Sequence, residues 1–264
     1  MHTPEQFLQT LNGFQAQFAQ LAERYEGTAQ GSSELEAILD DYSAFITNEA
    51  NEESWEHLNR QDSGHMSRLV EDLRKTSAFC VAIMEKYRAW KLLNGDAERT
   101  EYFRNIESCI EKEFGSFQVT ADSKVLLVGS GSFPMTPLYI AKRTGAEVIG
   151  IDIDREAVEL GRRVVEELGS GLKIRLENVF VEHLDDIREV THIIFSSTVA
   201  NKYELLDQLE ALTERDVIVA MRYGDGLKSL FNYPMQKVNG RKWSLAETVL
   251  RPGHVFDIAL YRKA

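Results

Sequence analysis

VLLVGSGSFPMTPL, residues 125–138, decides how the rest of the chain is read. A short apolar run ends at Gly129, a Gly-Ser-Gly turn follows, and Pro134–Arg143 then carries a helical pattern. A strand that closes on glycines and opens onto a helix is the first βα unit of a nucleoside-binding α/β domain. Glycines at such a turn let backbone approach a ligand closely, and the helix N-terminus offers amide donors and a positive dipole end. The third glycine of a pyrophosphate-cradling GxGxxG is absent, because that position holds Pro134. Asp152 ends the next apolar run, EVIGID (147–152), 21 residues after Gly131. A carboxylate there can accept both hydroxyls of a ribose.

Working outward, LKIRLE (172–177), HIIFS (192–196) and VIVAM (217–221) are further strand-like runs, and Arg155–Leu168 and Lys202–Leu212 have helical period. This alternation predicts a parallel sheet with right-handed crossovers. Lys242–Leu250 and His254–Tyr261, joined by Arg251-Pro252-Gly253, predict a terminal hairpin. Five parallel strands with a closing hairpin resemble the class I methyltransferase fold, a Rossmann relative. The first ~115 residues carry only helical spacing. Pro4 suits a first helical turn, with Phe7, Leu8, Leu11, Phe14, Phe18 and Leu21 recurring at three- and four-residue steps. Ser32 or Ser33 is expected to cap a second helix bearing Leu35, Ile38, Leu39, Tyr42 and Ile46. A long helix is expected over Gly64–Leu93, stopped by Asn94-Gly95, and another over Thr100–Phe114. The expected class is therefore α/β: an all-helical N-terminal domain (1–119) as lid and substrate region, then a Rossmann-like domain (120–264).

Composition narrows the function. With 43% hydrophobic and 27% charged residues the chain is ordinary for a globular protein, and 264 residues can bury a sizeable core. A formal charge of −12 repels phosphate backbones, and with no Lys/Arg run to offset it nucleic acid is not expected as a partner. No 18-residue apolar stretch points to a membrane, and the N-terminus lacks a secretory pattern, so a cytoplasmic protein is expected. Cys80 and Cys109 read as reduced core thiols, with a disulfide as the alternative. Neither cysteine nor histidine spacing suggests a metal site.

For a nucleoside ligand, the broken glycine fingerprint and the closing hairpin favour S-adenosyl-L-methionine over NAD. The candidate binding set is Gly129, Ser130, Gly131, Pro134, Met135, Thr136, Asp152 and Ile153, with Asn178 after the third strand and Ser196, Ser197 and Thr198 after the fourth. The last three lie on the sheet edge where doubly wound folds take ligands, although their hydroxyls could equally cap a helix. Asp185-Asp186 could approach the adenine or form a solvated turn. Asp154 reads as the N-cap of the helix through Leu168.

Motifs spread over most of the chain carry a resemblance to a known family: DDYSAFI (40–46), YFRNIESCIEKEFG (102–115), LLVGSGSFPMT (126–136), VIGIDIDREAVELGRR (148–163), THIIFSSTV (191–199), VAMRYGDGLKSLFNYP (219–234) and FDIALYRK (256–263). They resemble the nicotianamine synthase-like family, and within it the histidine aminobutanoyltransferases of staphylopine-type opine metallophore biosynthesis. The resemblance implies that S-adenosyl-L-methionine serves as co-substrate. Its γ-carbon, rather than its methyl, would go to an amine, here that of histidine with the D enantiomer expected, and methylthioadenosine would leave. It also implies a downstream opine dehydrogenase, and apolar helical surfaces suggest a homodimer.

By this resemblance Glu85, in MEKYRAWKLL, corresponds to a glutamate near the reacting amine, as base or as holder of the amine. Read from the sequence alone it is a helix glutamate paired with Lys86 or Arg88. Tyr102 matches the first tyrosine of a YxxNY-like segment, whose second tyrosine is here Ile106, so transfer of the family mechanism is incomplete at that point. Arg222 is placed to grip a substrate carboxylate, the alternative being an ion pair with an acid such as Asp225. Tyr233, in a Tyr-Pro step, is a candidate substrate contact or a packing residue. Other functions left open are a small-molecule methyltransferase, a nicotianamine synthase proper and a non-catalytic nucleoside-binding protein, with an NAD oxidoreductase more remote.

Overall fold

The computed structural model describes residues 3–25, 31–61, 63–95 and 113–264. Four helices open the chain: α1 (Pro4–Glu23), α2 (Ser32–Ile46), α3 (Glu52–Gln61) and α4 (Ser63–Leu93). Thr3 caps α1 in a reciprocal box with Gln6, Pro4 supplies the pre-set first turn, and Phe7, Leu11 and Phe18 form the buried stripe. The expected serine cap of α2 is replaced by Gly31. It enters the helix at φ 86°, and Ser32 becomes the first helical residue and is buried. α3 was not expected from the sequence. It is strongly polar, with Ser54 and Trp55 buried and Leu58 partly buried against the core. The long helix runs as expected to Leu93 and stops at Gly95, whose φ of 85° ends it. The helix expected over Thr100–Phe114 falls largely on residues 96–112, outside the described residues, and Glu113–Ser116 is turn.

The second half alternates β1 (Lys124–Val128), α5 (Met135–Thr144), β2 (Glu147–Ile151), α6 (Arg155–Leu168), β3 (Ile174–Glu177), β4 (His192–Phe195), α7 (Lys202–Leu212) and β5 (Ile218–Tyr223), then closes with β6 (Trp243–Val249) and β7 (Asp257–Lys263). The sheet order is β3-β2-β1-β4-β5-β7-β6, with the first five strands parallel and the last two antiparallel. This is the Rossmann-like arrangement with the terminal hairpin expected. β7 inserts beside β5, so the hairpin's second strand is the one that extends the sheet. The chain order reverses between β1 and β4, which places a crevice beyond the carboxyl ends of those strands.

α4 joins the two halves. It packs on α1 and α2 along one side and on α6 along another. One apolar core runs without a break from Phe7, Leu39 and Tyr42 through Val81 and Met84 to Leu127, Ala220, Leu230 and Phe231. The opposite face of the sheet has its own core, centred on Leu126, Ile193, Val219 and Trp243. The hydroxyl of Tyr42, fully buried, donates to the Leu230 carbonyl (2.7 Å), and Arg74 donates through Nε and Nη2 to the Ser229 carbonyl (3.0 and 2.7 Å). These bonds tie the helical half to the segment that follows β5. Cys80 is a free thiol in this core, its pKa pushed up to about 12 by burial, and Cys109 lies outside the described residues. Among the described residues no helix is long and apolar enough to cross a membrane.

Replacing Tyr42 with Phe keeps the ring but leaves the buried Leu230 carbonyl without its donor. The expected cost is about 1–2 kcal/mol in urea denaturation. An unchanged midpoint would mean this bond does not help hold the two halves together.

Candidate active site

The Gly-Ser-Gly turn adopts the left-handed backbone its sequence allows. Gly129 has φ 82° and Gly131 φ 65°, conformations costly for any residue with a Cβ. Space imposes the same requirement. A Cβ on Gly129 would stand 2.9 Å from Val199 Cγ2, and one on Gly131 would collide with the carboxylate of Glu85. Asp152, at the tip of β2, accepts from the Gly131 amide through Oδ2 (2.9 Å) and from the Asp154 amide through Oδ1 (3.0 Å). Asn178 donates from its side chain to the Asp152 carbonyl (2.9 Å). Asp154 caps α6 as expected, accepting from the amides of Glu156 (2.9 Å) and Ala157 (3.3 Å).

Glu85 reaches this turn from α4. Neither alternative partner holds it. Lys86 pairs with Asp154 (2.8 Å) and Glu156 (2.6 Å), and Arg88 pairs with Glu36 (3.3 Å). The Glu85 carboxylate instead sits over Gly131, on a side chain that is partly buried. Burial, and then the nearby Asp152 carboxylate, push its pKa up to about 8, against the opposing pull of the Ser132 amide and Arg222.

A pocket opens beside it at the carboxyl edge of the sheet. Its walls include Val81 and Glu85 from α4, Gly129, Ser130, Met135 and Thr136 after β1, Ser196, Ser197 and Thr198 after β4, and Arg222 at the end of β5. Nine residues proposed from the sequence therefore share one wall: Glu85, Gly129, Ser130, Met135, Thr136, Ser196, Ser197, Thr198 and Arg222. The hydroxyl of Ser130 is buried without a hydrogen-bond partner among the described residues, as is that of Ser132. Such groups at a glycine turn fit a ligand that would satisfy them. Gly131, Pro134, Asp152, Ile153 and Asn178 lie around the turn but outside this wall. Ile153 is 76% exposed. Asp186 is engaged by Lys124 (3.1 Å) and Arg175 (2.8 Å), so it serves a charged turn. Tyr102 lies outside the described residues.

One expectation is corrected, and one of two open readings is favoured. The acid beside Arg222 is Glu113, not Asp225, whose carboxylate accepts from the Met235 amide (3.0 Å). Arg222 Nε and Nη2 donate to the two oxygens of Glu113 at 2.8 and 2.7 Å in a buried fork, and Nη2 also donates to Thr136 Oγ1 (3.2 Å). Tyr233 stands away from the pocket wall, its ring flanked by the Arg74 guanidinium (5.0 Å) and the Lys202 ammonium (5.8 Å).

Sequence reasoning missed Glu113, Lys202 and the apolar wall of Phe133, Phe231, Val255 and Phe256. Glu113 sits inside a motif already noticed, EKEFG, with nothing local to separate it from its acidic neighbours. Lys202 looks like an ordinary exposed first-turn lysine. In the structure it is fully buried, donating to the carbonyls of Arg222 (2.5 Å) and Ser197 (3.3 Å), and burial pushes its pKa down to about 7.

Three curated relatives match this chain. Two L-histidine 2-aminobutanoyltransferases from strains of Pseudomonas aeruginosa are each 29% identical over 231 residues, covering 87% of this chain and 86% of theirs. The L-histidine 2-aminobutanoyltransferase of Yersinia pestis is 32% identical over 194 residues, covering 72% of this chain and 71% of its own. Among solved structures, MtNAS in complex with MTA and tNA superposes with a TM-score of 0.78 at 17% identity, covering 98% of both chains. A glutamate-to-glutamine mutant of MtNAS in complex with S-adenosylmethionine superposes with a TM-score of 0.71 at 17% identity, covering 95% of this chain and 98% of its own. At these identities the structures establish a shared fold. No family model matches the sequence.

The raised pKa of Glu85 has a consequence for stability. Between its ordinary value of 4.5 and about 8, the folded protein holds a proton that the unfolded chain has released, so stability falls as pH rises through that window. Glu85→Gln should lessen this fall, leaving the variant more stable than the parent above about pH 8, by a few kcal/mol at most. Parallel urea titrations at about pH 5 and about pH 8.5 measure it. An equal drop in both proteins would show that Glu85 is not a strained acid.

Proposed function

The chain belongs to the histidine 2-aminobutanoyltransferase family, and from that premise we propose that it moves the 3-amino-3-carboxypropyl (2-aminobutanoyl) group of S-adenosyl-L-methionine to the α-amine of histidine, releasing methylthioadenosine. One observation carries this reading: a carboxylate from the helical half, Glu85, rests on the glycine turn of the sheet, in the wall of the pocket at its carboxyl edge. A methyl-directed enzyme needs no such group, because its acceptor can approach from an open cleft. Presenting the amino-acid arm to a small zwitterion calls for an enclosed site that excludes water and holds a base beside the incoming amine.

In the proposed step the amine lone pair forms a bond to the γ-carbon. The γ-carbon–sulfur bond breaks with its electrons passing to sulfur, and a neutral thioether leaves. The sulfonium needs no acid to activate it. What the chain must supply is an unprotonated amine held in line, and Glu85 would take the proton that the nitrogen sheds. A carboxylate with a pKa near 8 is well matched to that task. Gly129, Gly131 and the buried hydroxyl of Ser130 form the cradle for the nucleoside end, with Asp152 beside the ribose. Asp152 would first have to exchange its present bond to the Gly131 amide for ligand hydroxyls or share it with them. Ser196, Ser197 and Thr198 face the same space from β4. As for chirality, the three relatives are named for L-histidine, while the motifs of the staphylopine branch suggested the D enantiomer.

Mass spectrometry of the purified protein with S-adenosylmethionine and each histidine enantiomer tests the reaction directly. The expected outcome is histidine enlarged by one aminobutanoyl unit, with methylthioadenosine as the by-product and one enantiomer consumed in preference. S-adenosylhomocysteine appearing instead would identify a methyltransferase and end this proposal. Within the same assay kcat/KM should rise with pH through about 8 as Glu85 ionises, and Glu85→Gln should remove that limb and lower turnover about 10²–10⁴-fold while nucleoside binding persists. A variant with unaltered turnover would exclude Glu85 as the base.

A further inference from the structure

The pocket contains a charge that its proposed ligand should reject. Arg222 lines the wall with Glu85, Thr136 and Ser197, and it is 5% exposed, so water screens it little. A sulfonium entering this space would meet a guanidinium in a poorly screened site. The structure places a second group directly behind it. Glu113, 1% exposed, meets Arg222 in a two-pronged ion pair, and Arg222 in turn holds Thr136. Glu113 is not itself part of the pocket wall.

Resting on the reading of S-adenosylmethionine as co-substrate, we propose that Glu113 is a positioning residue that cancels the charge of Arg222, so that the pocket beside Glu85 accepts a cationic sulfonium. A fork in which both carboxylate oxygens are engaged fixes the guanidinium plane as well as its charge. Arg222 is thereby turned into a neutral-on-balance frame for Thr136 rather than a waiting receptor for a substrate carboxylate. The arrangement also separates two tasks. Glu85 faces the reacting groups, and Glu113 acts on them only through Arg222. A buried ion pair of this kind is a weak source of stability, since desolvation of both partners offsets their attraction. Its effect at the pocket is on the local potential.

The test compares two ligands that share the nucleoside and the amino-acid arm but differ by a methyl group and one charge: S-adenosylmethionine and S-adenosylhomocysteine. Calorimetric titration without acceptor gives the ratio of their affinities. In Glu113→Gln the preference for the sulfonium should fall about tenfold or more, because one unit charge a few ångströms away is no longer cancelled. Arg222→Gln should not lower the ratio, because Glu113 without its partner either stays charged and favours the sulfonium or takes up a proton, and the double variant Glu113→Gln/Arg222→Gln should return it to the parental value. Equal weakening of both ligands in Glu113→Gln would show a merely structural role and overturn the inference. So would an Arg222→Gln ratio that falls, which decides the matter even if Glu113→Gln does not fold. Failure of the parent protein to bind either nucleoside would instead overturn the co-substrate reading on which the inference rests.

Discussion

A carboxylate carried on a 31-residue helix is lodged against a glycine turn of a different structural layer, and both must be in place for the pocket to exist. The contact sets strict conditions on each side. Gly131 holds φ 65°, where any side chain strains the backbone, and a Cβ there would displace the Glu85 oxygens from their present place. Glu85 must give up water and lie near a second carboxylate, Asp152, which together raise its pKa to about 8. That electrostatic cost has to be met by packing elsewhere. The continuous apolar core from Phe7 and Tyr42 to Leu127 and Phe231 provides it, fixing α4 on the sheet so that its strained acid has no easy escape to solvent.

The other buried charges are managed by different means. Arg222 and Glu113 neutralise one another in a bidentate pair. Lys202 and Arg74 lean on backbone carbonyls, those of Ser197, Arg222 and Ser229, and on the face of Tyr233. The carbonyls chosen are consequential. Ser197 follows β4 and Arg222 lies near the end of its neighbour β5, so one ammonium under the pocket ties together two parts of its wall. Tyr233 thereby acquires a definite place, as the partner of two cations beneath the site. The helical half contributes Val81 and Glu85 to the pocket wall, and the sheet half contributes the rest.

Much of the framework was legible because it depends on local chemistry. Periodicity two and 3.6, a glycine turn after an apolar run, an Asp at a strand end and an Asn-Gly stop each act over a few residues, and among the described residues the elements they forecast are present. The misses had other physical causes. The start of α2 went to a left-handed glycine rather than a serine because Ser32 is drawn into the core. Helix α3 is so polar that its few inward residues leave little periodic signal. Glu113 and Lys202 are charged side chains whose burial no local pattern announces: Arg222 is 109 positions from Glu113, and the carbonyls that hold Lys202 belong to Ser197 and Arg222.

The amino-acid sequence by itself determined the parallel sheet with its closing hairpin, the helical half, the glycine turn and the family motifs, because these follow from steric and hydrophobic rules that operate between near neighbours. Only the tertiary structure decided which acid lines the pocket with a raised pKa, which acid pairs with Arg222, and which lysine joins the segment after β4 to β5. Those roles depend on desolvation and on distances between remote segments, and electrostatic energy inside a protein is set by what surrounds a charge, not by the residue type that carries it.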